Sequence, residues 1–323
     1  MATAHRIVSL ISSATEILYL LELGDRVVGV SHECDYPLEV GQKPRLTHSL
    51  VDAAANSRAI DDQVRSLAGN TSALYEIDVE RLAALKPDLI ITQAQCDVCA
   101  VRYEDVETVV RNSPALAGTR ILALNPSSVL DVLSDIERIG RACDEHVNTL
   151  LVKTSLNLRL LTAQIRCAQL SGNNPPRVIC LEWIDPPMVA ANWMPELVQM
   201  AGGSPGLTKA GVHSSYADWR QIVEYDPQVI VIMPCGFDLP RAIVEAQVLP
   251  GFAGWQKLDA VRNGRVFAVD GNAYFNRSGP RLVDSLEILA HLFYPDHCRA
   301  PVEGAAQPWR RMATENGKLV PVM

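Results

Sequence analysis

Short apolar runs alternate along this chain with amphipathic segments of helical length, and this alternation constrains the fold more than any other feature. Val27–Val30 and Leu89–Thr92 have the length and apolar content of buried strands, and Val79–Leu85 between them has helical spacing. Strands and helices in this alternation predict parallel sheets whose strands are joined by crossover helices. The predicted fold class is therefore α/β.

The alternation stops between Ser128 and Ser171, where apolar residues keep helical spacing without an intervening strand. A single helix of this length would be about 60 Å long at 1.5 Å per residue. We therefore predict a break near Gly140–Asp144, followed by one long helix, before strands return at Arg177. The sequence thus predicts two Rossmann-like lobes with parallel sheets, joined by a single long helix. The predicted regions are an N-terminal lobe (1–127), a connecting helical segment (128–172) and a C-terminal lobe with a tail (173–323).

A weak internal repeat links the two predicted lobes. Ala84–Ile91 and Glu224–Val231 both read as a helix end, an X-Pro stop and a buried strand, which predicts similar topology in the two lobes. Ser13 and Glu16 have the spacing of a capping box, which predicts the start of the first helix. From Tyr294 onward no strong period is present, so no element is predicted in the tail.

Composition and motifs exclude several classes of function. Hydrophobic residues make up 48% and charged residues 20% of the chain, as in globular proteins. The net charge is −8 and no basic stripe is present, so nucleic acid is not expected as a partner. No Walker loop, G-x-G-x-x-G, H-E-x-x-H or G-x-S-x-G motif occurs, and we expect no enzyme activity and no catalytic residues.

The start of the chain lacks the pattern of a secretory leader, because Glu16 and Glu22 interrupt its apolar stretch. No apolar run approaches the roughly 20 residues that span a bilayer. A cytoplasmic location is therefore expected, or a periplasmic one if a leader has been removed.

Several segments, in their order and spacing, resemble a family: the ABC-transporter substrate-binding proteins with one rigid connecting helix. Within it, the resemblance is to vitamin B12-binding proteins and to relatives that bind ferric siderophores or haem. The stretch Leu85–Ile90, with the sequence Leu-Lys-Pro-Asp-Leu-Ile, is the most specific part. The segments that carry the resemblance are Arg6–Leu10, Ala14–Glu16, Val27–Ser31, Asp35–Pro37, Val79–Leu82, Leu85–Ile90, Asp226–Ile232 and Ser278–Arg281.

The resemblance implies a non-catalytic protein that binds cobalamin, another corrinoid or a similar ferric chelate in a cleft between the lobes. In parallel α/β lobes, ligands lie beyond the carboxyl ends of the strands. Places that hold aromatic residues in the B12-binding relatives fall on Glu33, Leu74, Gln93 and Ser214, so nearby aromatic residues are expected to replace them. The predicted ligand-binding residues are Ser13, Glu33, Gln93, Trp183, Trp193, Tyr216, Tyr274, Phe275 and Arg277.

These residues have different expected roles. Trp183 and Trp193 would form a flat stacking wall, with packing under their loop as the alternative. Arg277 would pair with a carboxylate or phosphate of the ligand, or else with an acidic residue nearby. Ser13, at the start of the first helix, would offer free backbone N–H groups to an anion, although most such starts are merely capped.

The resemblance also implies an ABC permease as partner, which family members contact through one surface carboxylate on each lobe. The first carboxylate falls on Glu80, but the second falls on Arg220, where the charge is reversed. A positive charge facing a basic socket opposes docking. The permease role is therefore weaker than the scaffold alone implies.

Four cysteines follow predicted strands and support an alternative hypothesis. Cys34, Cys96, Cys99 and Cys235 all lie at strand carboxyl ends. Four thiolates are the ligand set of a tetrahedral zinc or an iron–sulfur cluster. The alternative is thus a cytoplasmic metal-binding or redox protein on the same scaffold. The remaining cysteines, Cys143, Cys167, Cys180 and Cys298, are interpreted as small buried hydrophobic residues.

Overall fold

The computed structural model describes residues 3–69, 74–95, 100–299, 301 and 307–322. The chain divides into two compact units. The first consists of Met1–Ala55, Ala59–Pro126 and Leu130–Leu156, and the second of Asn157–Met323 with the short segments Asn56–Arg58 and Ser127–Val129. The lobe limits given above, 1–127, 128–172 and 173–323, stay a prediction.

The first unit is built mainly around a four-stranded parallel sheet with the strand order β2-β1-β5-β6, beside a separate antiparallel pair, β3 and β4. Its core includes Val8, Leu46, Leu82 and Ile90, all completely buried. The strands are β1 (Ile7–Ser9), β2 (Val27–Val30), β3 (Thr47–Ser49), β4 (Tyr75–Ile77), β5 (Leu89–Gln93) and β6 (Arg120–Leu124). The helices are α1 (Ser12–Leu20), α2 (Ser57–Gly69), α3 (Val79–Leu85), α4 (Tyr103–Asn112) and α5 (Val129–Ala142).

The predicted break in the helical segment is confirmed, because α5 ends at Ala142 and α6 runs over Val147–Ser171. Gly140 permits this turn: a Cβ atom there would stand 1.9 Å from Thr149 Oγ1. Asp144 takes a left-handed φ of 57° between the helices. Only a residue without a side chain allows the two helix ends to approach so closely.

The second unit has an eight-stranded sheet with the order β10-β8-β7-β11-β12-β13-β14, and β9 also pairs with β7. Its core includes the fully buried Ile179, Ile230, Ile232 and Ala268. The strands are β7 (Arg177–Trp183), β8 (Met188–Val189), β9 (Ser204–Pro205), β10 (Ser215–Tyr216), β11 (Val229–Ile232), β12 (Val266–Val269), β13 (Trp309–Glu315) and β14 (Lys318–Val322). The helices are α7 (Met194–Met200), α8 (Trp219–Tyr225), α9 (Leu239–Glu245), α10 (Asp259–Arg262) and α11 (Leu282–Phe293).

The predicted α/β class is confirmed, with three differences in detail. The sheet of the second unit is mixed: β7, β11, β12 and β9 are parallel, but β8, β10, β13 and β14 pair antiparallel. The tail forms the hairpin β13–β14, whose turn Asn316-Gly317 has φ angles of 50° and 77°. The predicted capping box is wrong, because Ile11 occupies the N-cap of α1 and makes no side-chain capping bond. Within the described residues, no helix combines the length and hydropathy needed to cross a membrane.

Candidate functional site

Buried polar side chains follow β1 and β2 in the first unit. Thr15, in α1, places its hydroxyl oxygen 2.8 Å from Ser9 Oγ and 3.1 Å from Cys34 Sγ, within hydrogen-bonding distance of both. Ser31, just after β2, accepts from Thr47 Oγ1 at 3.1 Å. Because β1 and β2 are parallel neighbours, their carboxyl ends bring these groups to one edge of the sheet.

Two neighbouring side chains on this edge carry ionisable groups. His32 Nδ1 lies 2.7 Å from Thr47 Oγ1, and its ring tilts against that of Tyr75 at 5.3 Å. Burial lowers the pKa of His32, and the positive charges of His48 and Arg45 lower it further. Both effects favour the neutral form of the His32 imidazole. Glu33 Oε1 lies 3.9 Å from His32 Nε2, and the Glu33 side chain is 44% exposed.

Two of the predicted ligand residues of the first unit are almost completely buried. Ser13 is 1% exposed in the first turn of α1, and Gln93 is 2% exposed at the end of β5. Gln93 Oε1 accepts the backbone N–H of Gln95 at 2.6 Å. The structure therefore places Glu33 as the accessible member of this predicted set, with Ser13 and Gln93 beneath the surface.

An aromatic and cationic stack forms in the second unit where β7 and β11 end. The ring of Trp183 lies 5.2 Å from that of Phe237, and the guanidinium of Arg241 stands 3.6 Å over the same phenyl ring. The backbone N–H of Cys235 donates to Glu182 O at 3.0 Å, which ties the two loops together. Trp183 is one of the ligand-binding residues predicted from the sequence, whereas Phe237 and Arg241 were not predicted.

The loop after β12 adds a second group of polar and aromatic side chains. Arg277, only 7% exposed, donates to Asn272 Oδ1 at 2.9 Å. Arg281 holds its guanidinium 5.3 Å from the ring centre of Tyr274. Burial raises the pKa of Asp270, although the backbone N–H of Ala273 and both arginines oppose that rise. The loop thus holds two largely buried guanidinium groups near one carboxyl group.

The loops after β11 and β12 are in direct backbone contact. A Cβ atom on Gly271 would stand 2.4 Å from Pro234 O, so no other residue fits there without a shift. Asn272 donates its backbone N–H to Phe237 O at 3.0 Å, and Asn276 Nδ2 donates to Met233 O at 2.8 Å. These contacts join the two groups of side chains into one continuous rim, defined here by Trp183, Phe237, Arg241, Tyr274, Arg277 and Arg281.

Three further predicted residues of the second unit differ in exposure. Trp193 is 6% exposed and donates its indole N–H to Phe275 O at 2.9 Å, while Phe275 itself is fully buried. Tyr216, on β10, is 50% exposed. The structure thus packs Trp193 and Phe275 below the rim. Ser214 donates its hydroxyl to Glu182 Oε2 at 2.6 Å and accepts the Ala191 N–H at 2.9 Å.

Of the four cysteines of the alternative hypothesis, the structure describes two, and these lie in different surroundings. Cys34 is fully buried in the first unit, and Cys235 is partly exposed after β11 in the second. Cys96 and Cys99 lie outside the described residues. Among the residues that the structure describes, no group of three or more His, Cys, Asp or Glu side chains is arranged to hold a metal ion. Zinc or iron–sulfur binding by these cysteines stays a prediction without structural support.

The residues that sequence reasoning missed carried a readable signal. Phe237-Asp238-Leu239-Pro240-Arg241 follows a buried strand and begins a helix, with Asp238 accepting the Arg241 N–H at 3.0 Å and proline in the first turn. The pattern Asp-x-Pro predicts the first residue of a helix, and so the end of the loop that precedes it. The side chains on either side of it are therefore at a strand carboxyl end, where sites form.

Comparison with known proteins gives consistent matches. The profile of the periplasmic binding protein family matches residues 7–273. An uncharacterised ABC transporter substrate-binding lipoprotein of Bacillus subtilis, YvrC, is 26% identical over 293 residues, 90% of this chain and 80% of that protein. A vitamin B12-binding protein of Vibrio cholerae is 26% identical over 295 residues, 88% of this chain and 87% of that one. The solved structure of a periplasmic haem-binding protein from Pseudomonas aeruginosa superposes with a TM-score of 0.68 at 19% identity, covering 93% of this chain and 95% of that one.

Proposed function

The chain belongs to the periplasmic binding protein family, and from that premise we propose that it binds a metal chelate without chemical change. The proposed ligand is cobalamin or another corrinoid, with haem and ferric siderophores as the related chelates to test beside it. The similar proteins include one named for vitamin B12 and one titled as haem-binding, which supports this class of ligand.

The observation that carries the proposal is the rim of the second unit. It places the partly exposed ring of Trp183 and the partly exposed guanidinium group of Arg241 at the carboxyl ends of parallel strands, packed against the buried Phe237, with the buried Arg277 in the next loop. Aromatic faces stack on flat conjugated rings, and guanidinium groups bind carboxylates and phosphates through paired hydrogen bonds. Planar chelates with anionic substituents offer both features.

The remaining predicted ligand residues are proposed in supporting roles. Glu33 and Tyr216 are exposed enough to contact a ligand directly. Trp193, Tyr274 and Phe275 are all buried, so they would hold the loops in place, Tyr274 within the rim and the other two beneath it. Ser13 and Gln93 would act in the same way at the edge of the first sheet.

We further propose an extracytoplasmic location and an ABC permease as partner, in place of the cytoplasmic location expected from the sequence. The support is that the similar proteins include a substrate-binding lipoprotein and a periplasmic haem-binding protein. Glu80 and Arg220 both lie exposed in first helical turns, of α3 and α8 respectively. The reversed charge at Arg220 would require a permease whose facing surface is not uniformly basic.

Titration of the purified protein with cyanocobalamin, haemin and a ferric siderophore tests the proposal. We expect saturable one-to-one binding of one chelate, visible in its absorbance spectrum, and recovery of that chelate unchanged in mass. Trp183→Ala should weaken binding about fivefold, because an aromatic stacking contact contributes on the order of 1 kcal/mol.

Trp219→Ala is the matched control, since Trp219 lies in α8, stacks on Phe252 at 4.8 Å and is not one of the rim residues. The affinity of the Trp219→Ala variant for the chelate should equal that of the unmodified protein. If none of the three chelates binds, the proposed ligand class is wrong. A chelate that binds equally well to the Trp183→Ala variant would instead show that the rim is not its site.

A further inference from the structure

Two cysteines outside the proposed site lie together inside the second unit. Cys167 lies in α6 and Cys298 follows α11, and their exposed fractions are 0% and 4%. With Ala290 they form a small apolar cluster, against which Leu170 and Tyr294 pack. Both thiols belong to this one cluster, and both are free. The structure therefore brings together two oxidisable groups that are 131 residues apart in sequence (298 − 167).

The backbone around Cys298 is held in place by its neighbours. The Cys298 N–H donates to Tyr294 O at 2.9 Å, and its carbonyl oxygen lies 2.8 Å from His291 Nδ1. Both partners belong to α11 or to the residue that ends it. The residue Cys298 is thus fixed to the end of a buried helix.

Cys167 is held on the opposite side of the pair. It lies within α6, and a Cβ atom on Gly202 would stand 2.9 Å from Cys167 O. Tyr294 donates its hydroxyl to Gly202 O at 2.9 Å, which ties the end of α11 to the same place. Both backbones are therefore held around the one cluster that contains the two cysteines, which supplies the proximity that a disulfide requires.

We propose that Cys167 and Cys298 form a disulfide bond when the protein folds under oxidising conditions. The oxidant is a disulfide, R–S–S–R, of a small thiol or of an oxidoreductase. One cysteine thiolate attacks it and releases one RS⁻, and the second cysteine thiolate then displaces the other RS⁻ from the mixed disulfide. The cysteine pair loses two electrons, the oxidant gains them, and the two thiol protons end on the two RSH molecules released.

The burial of the pair determines when this bond forms. Burial raises the pKa of Cys167 to about 12, and the adjacent Cys298 contributes to that rise. The thiolate is the reactive species, so exchange is slow in the folded protein and fast while the chain is still unfolded. The same burial protects the finished bond from external thiols, as in structural disulfides of proteins outside the cytoplasm.

The supply of an oxidant in the cell rests on the proposed extracytoplasmic location, but the bond itself goes beyond the proposed function. It uses no residue of the rim and requires no ligand. A disulfide test performed on the purified chain therefore succeeds or fails independently of the chelate titration.

The full chain, reduced and unfolded in guanidinium chloride, is diluted into a mixture of oxidised and reduced glutathione, then denatured, alkylated and mapped by peptide mass spectrometry. We expect one peptide pair joined through Cys167 and Cys298, with Cys143 and Cys180 alkylated. The melting temperature of the oxidised protein should exceed that of the reduced protein by roughly 5–10 °C, because the bond closes a long loop in the unfolded chain.

Two variants keep the test decisive. Cys298→Ser should abolish the linked peptide and the redox dependence of the melting temperature, even if its own stability is lower. Cys143→Ser is the matched control, since Cys143 is a buried cysteine of the first unit and should leave both readouts unchanged. Recovery of Cys167 and Cys298 as alkylated thiols after oxidative refolding, or linked to other cysteines, would overturn the proposal.

Discussion

Each unit contains a helix followed by a strand that is built in the same way. The pair is α3 and β5 in the first unit, and α8 and β11 in the second. Asp78 and Asp218 cap the two helices by accepting a backbone N–H from the first turn. Both helices end at residues with left-handed φ angles, 46° at Lys86 and 49° at Asp226. A proline follows each of these residues, and a buried strand begins two positions later.

The likeness extends to an arginine at the start of a neighbouring strand in each unit. Arg6 donates from Nε to Leu85 O at 2.9 Å, and Arg177 donates from Nε to Asp226 O at 2.9 Å. The last carbonyl groups of a helix have no partner within the helix, and a guanidinium group satisfies them while matching the helix dipole. In each unit, the first strand of the sheet therefore stabilises the end of a helix distant in sequence.

The same arginines are held in turn by the residue that follows the proline. Asp88 Oδ1 accepts the Arg6 N–H at 3.1 Å, and Gln228 Oε1 accepts the Arg177 N–H at 3.0 Å. The carboxylate of Asp88 and the amide of Gln228 thus both accept a backbone N–H at equivalent positions. The geometry is preserved because each position requires only an acceptor oxygen.

The two copies differ where the side chain faces solvent. The second residue of α3 is Glu80, whereas the second residue of α8 is Arg220, which is 90% exposed and paired with Asp218 at 2.5 Å. The contacts that terminate the two helices are therefore shared, whereas the charge in the exposed first turn differs between them. Exposed charge is therefore where the two units can differ in their partners.

The largest effect expected from this comparison concerns the strands themselves. Ile90 and Ile230 occupy equivalent places in β5 and β11 and are both fully buried. Ile90→Ala and Ile230→Ala should each lower the free energy of unfolding of their own unit by about 2–5 kcal/mol, through lost burial and the cavity left behind. Hydrogen exchange of the β5 and β11 backbone amides measures each unit separately.

Val79→Ala, at a 38% exposed position of α3, is the control and should change exchange little. If Ile230→Ala lowered the free energy of unfolding several-fold less than Ile90→Ala, the two strands would not be equivalent. The comparison would then hold for the helix ends alone.

The repeat was predictable from sequence because its parts are local. Pro87 and Pro227 end helices by removing a hydrogen-bond donor, and the runs after them have the composition of buried strands whatever the rest of the chain does. The strand β2 was predicted with its observed limits, Val27–Val30, for the same reason. Local chemistry therefore accounts for most of the α/β framework.

The parts that escaped prediction depend on partners far away in sequence. The strand β13 pairs with β12, and Met312 lies opposite Val266. The sequence around Met312 contains no local pattern that identifies Val266 as its partner. The turn Asn316-Gly317 was a readable hairpin signal, since both residues tolerate positive φ. In the candidate site, Arg241 stands over Phe237 only because α9 begins where β11 ends, which sequence spacing indicates but side-chain geometry decides.

A smaller effect is expected from removing the shared arginines. Arg6→Ala and Arg177→Ala each leave helix-terminal carbonyl groups without their charged partner, and should cost about 1–2 kcal/mol each, reduced from the range for buried bonds by exposure to solvent. Urea denaturation measures the change in the free energy of unfolding. Hydrogen exchange of the α3 and α8 backbone amides shows whether the helix ends fray. Arg310→Ala, whose guanidinium bonds the carbonyl of the adjacent Trp309, is a control in the second unit. Frayed ends in α3 but not in α8 would show that only one copy depends on this contact.

The smallest effect expected lies at the exposed turn where the two copies differ. The hydrogen bond from Arg220 lowers the pKa of Asp218, with its positive charge as a further cause. A carboxyl group with a lowered folded pKa stabilises the fold above its unfolded pKa, and this contribution is lost as the pH falls through the folded value. Arg220→Gln should therefore return the pKa of Asp218 towards the ordinary aspartate range, measured by NMR titration of the carboxyl carbon. An unchanged pKa in that variant would mean that the backbone N–H of residue 220, and not its side chain, holds the carboxylate, and the first turns of α3 and α8 would then be alike in this respect as well.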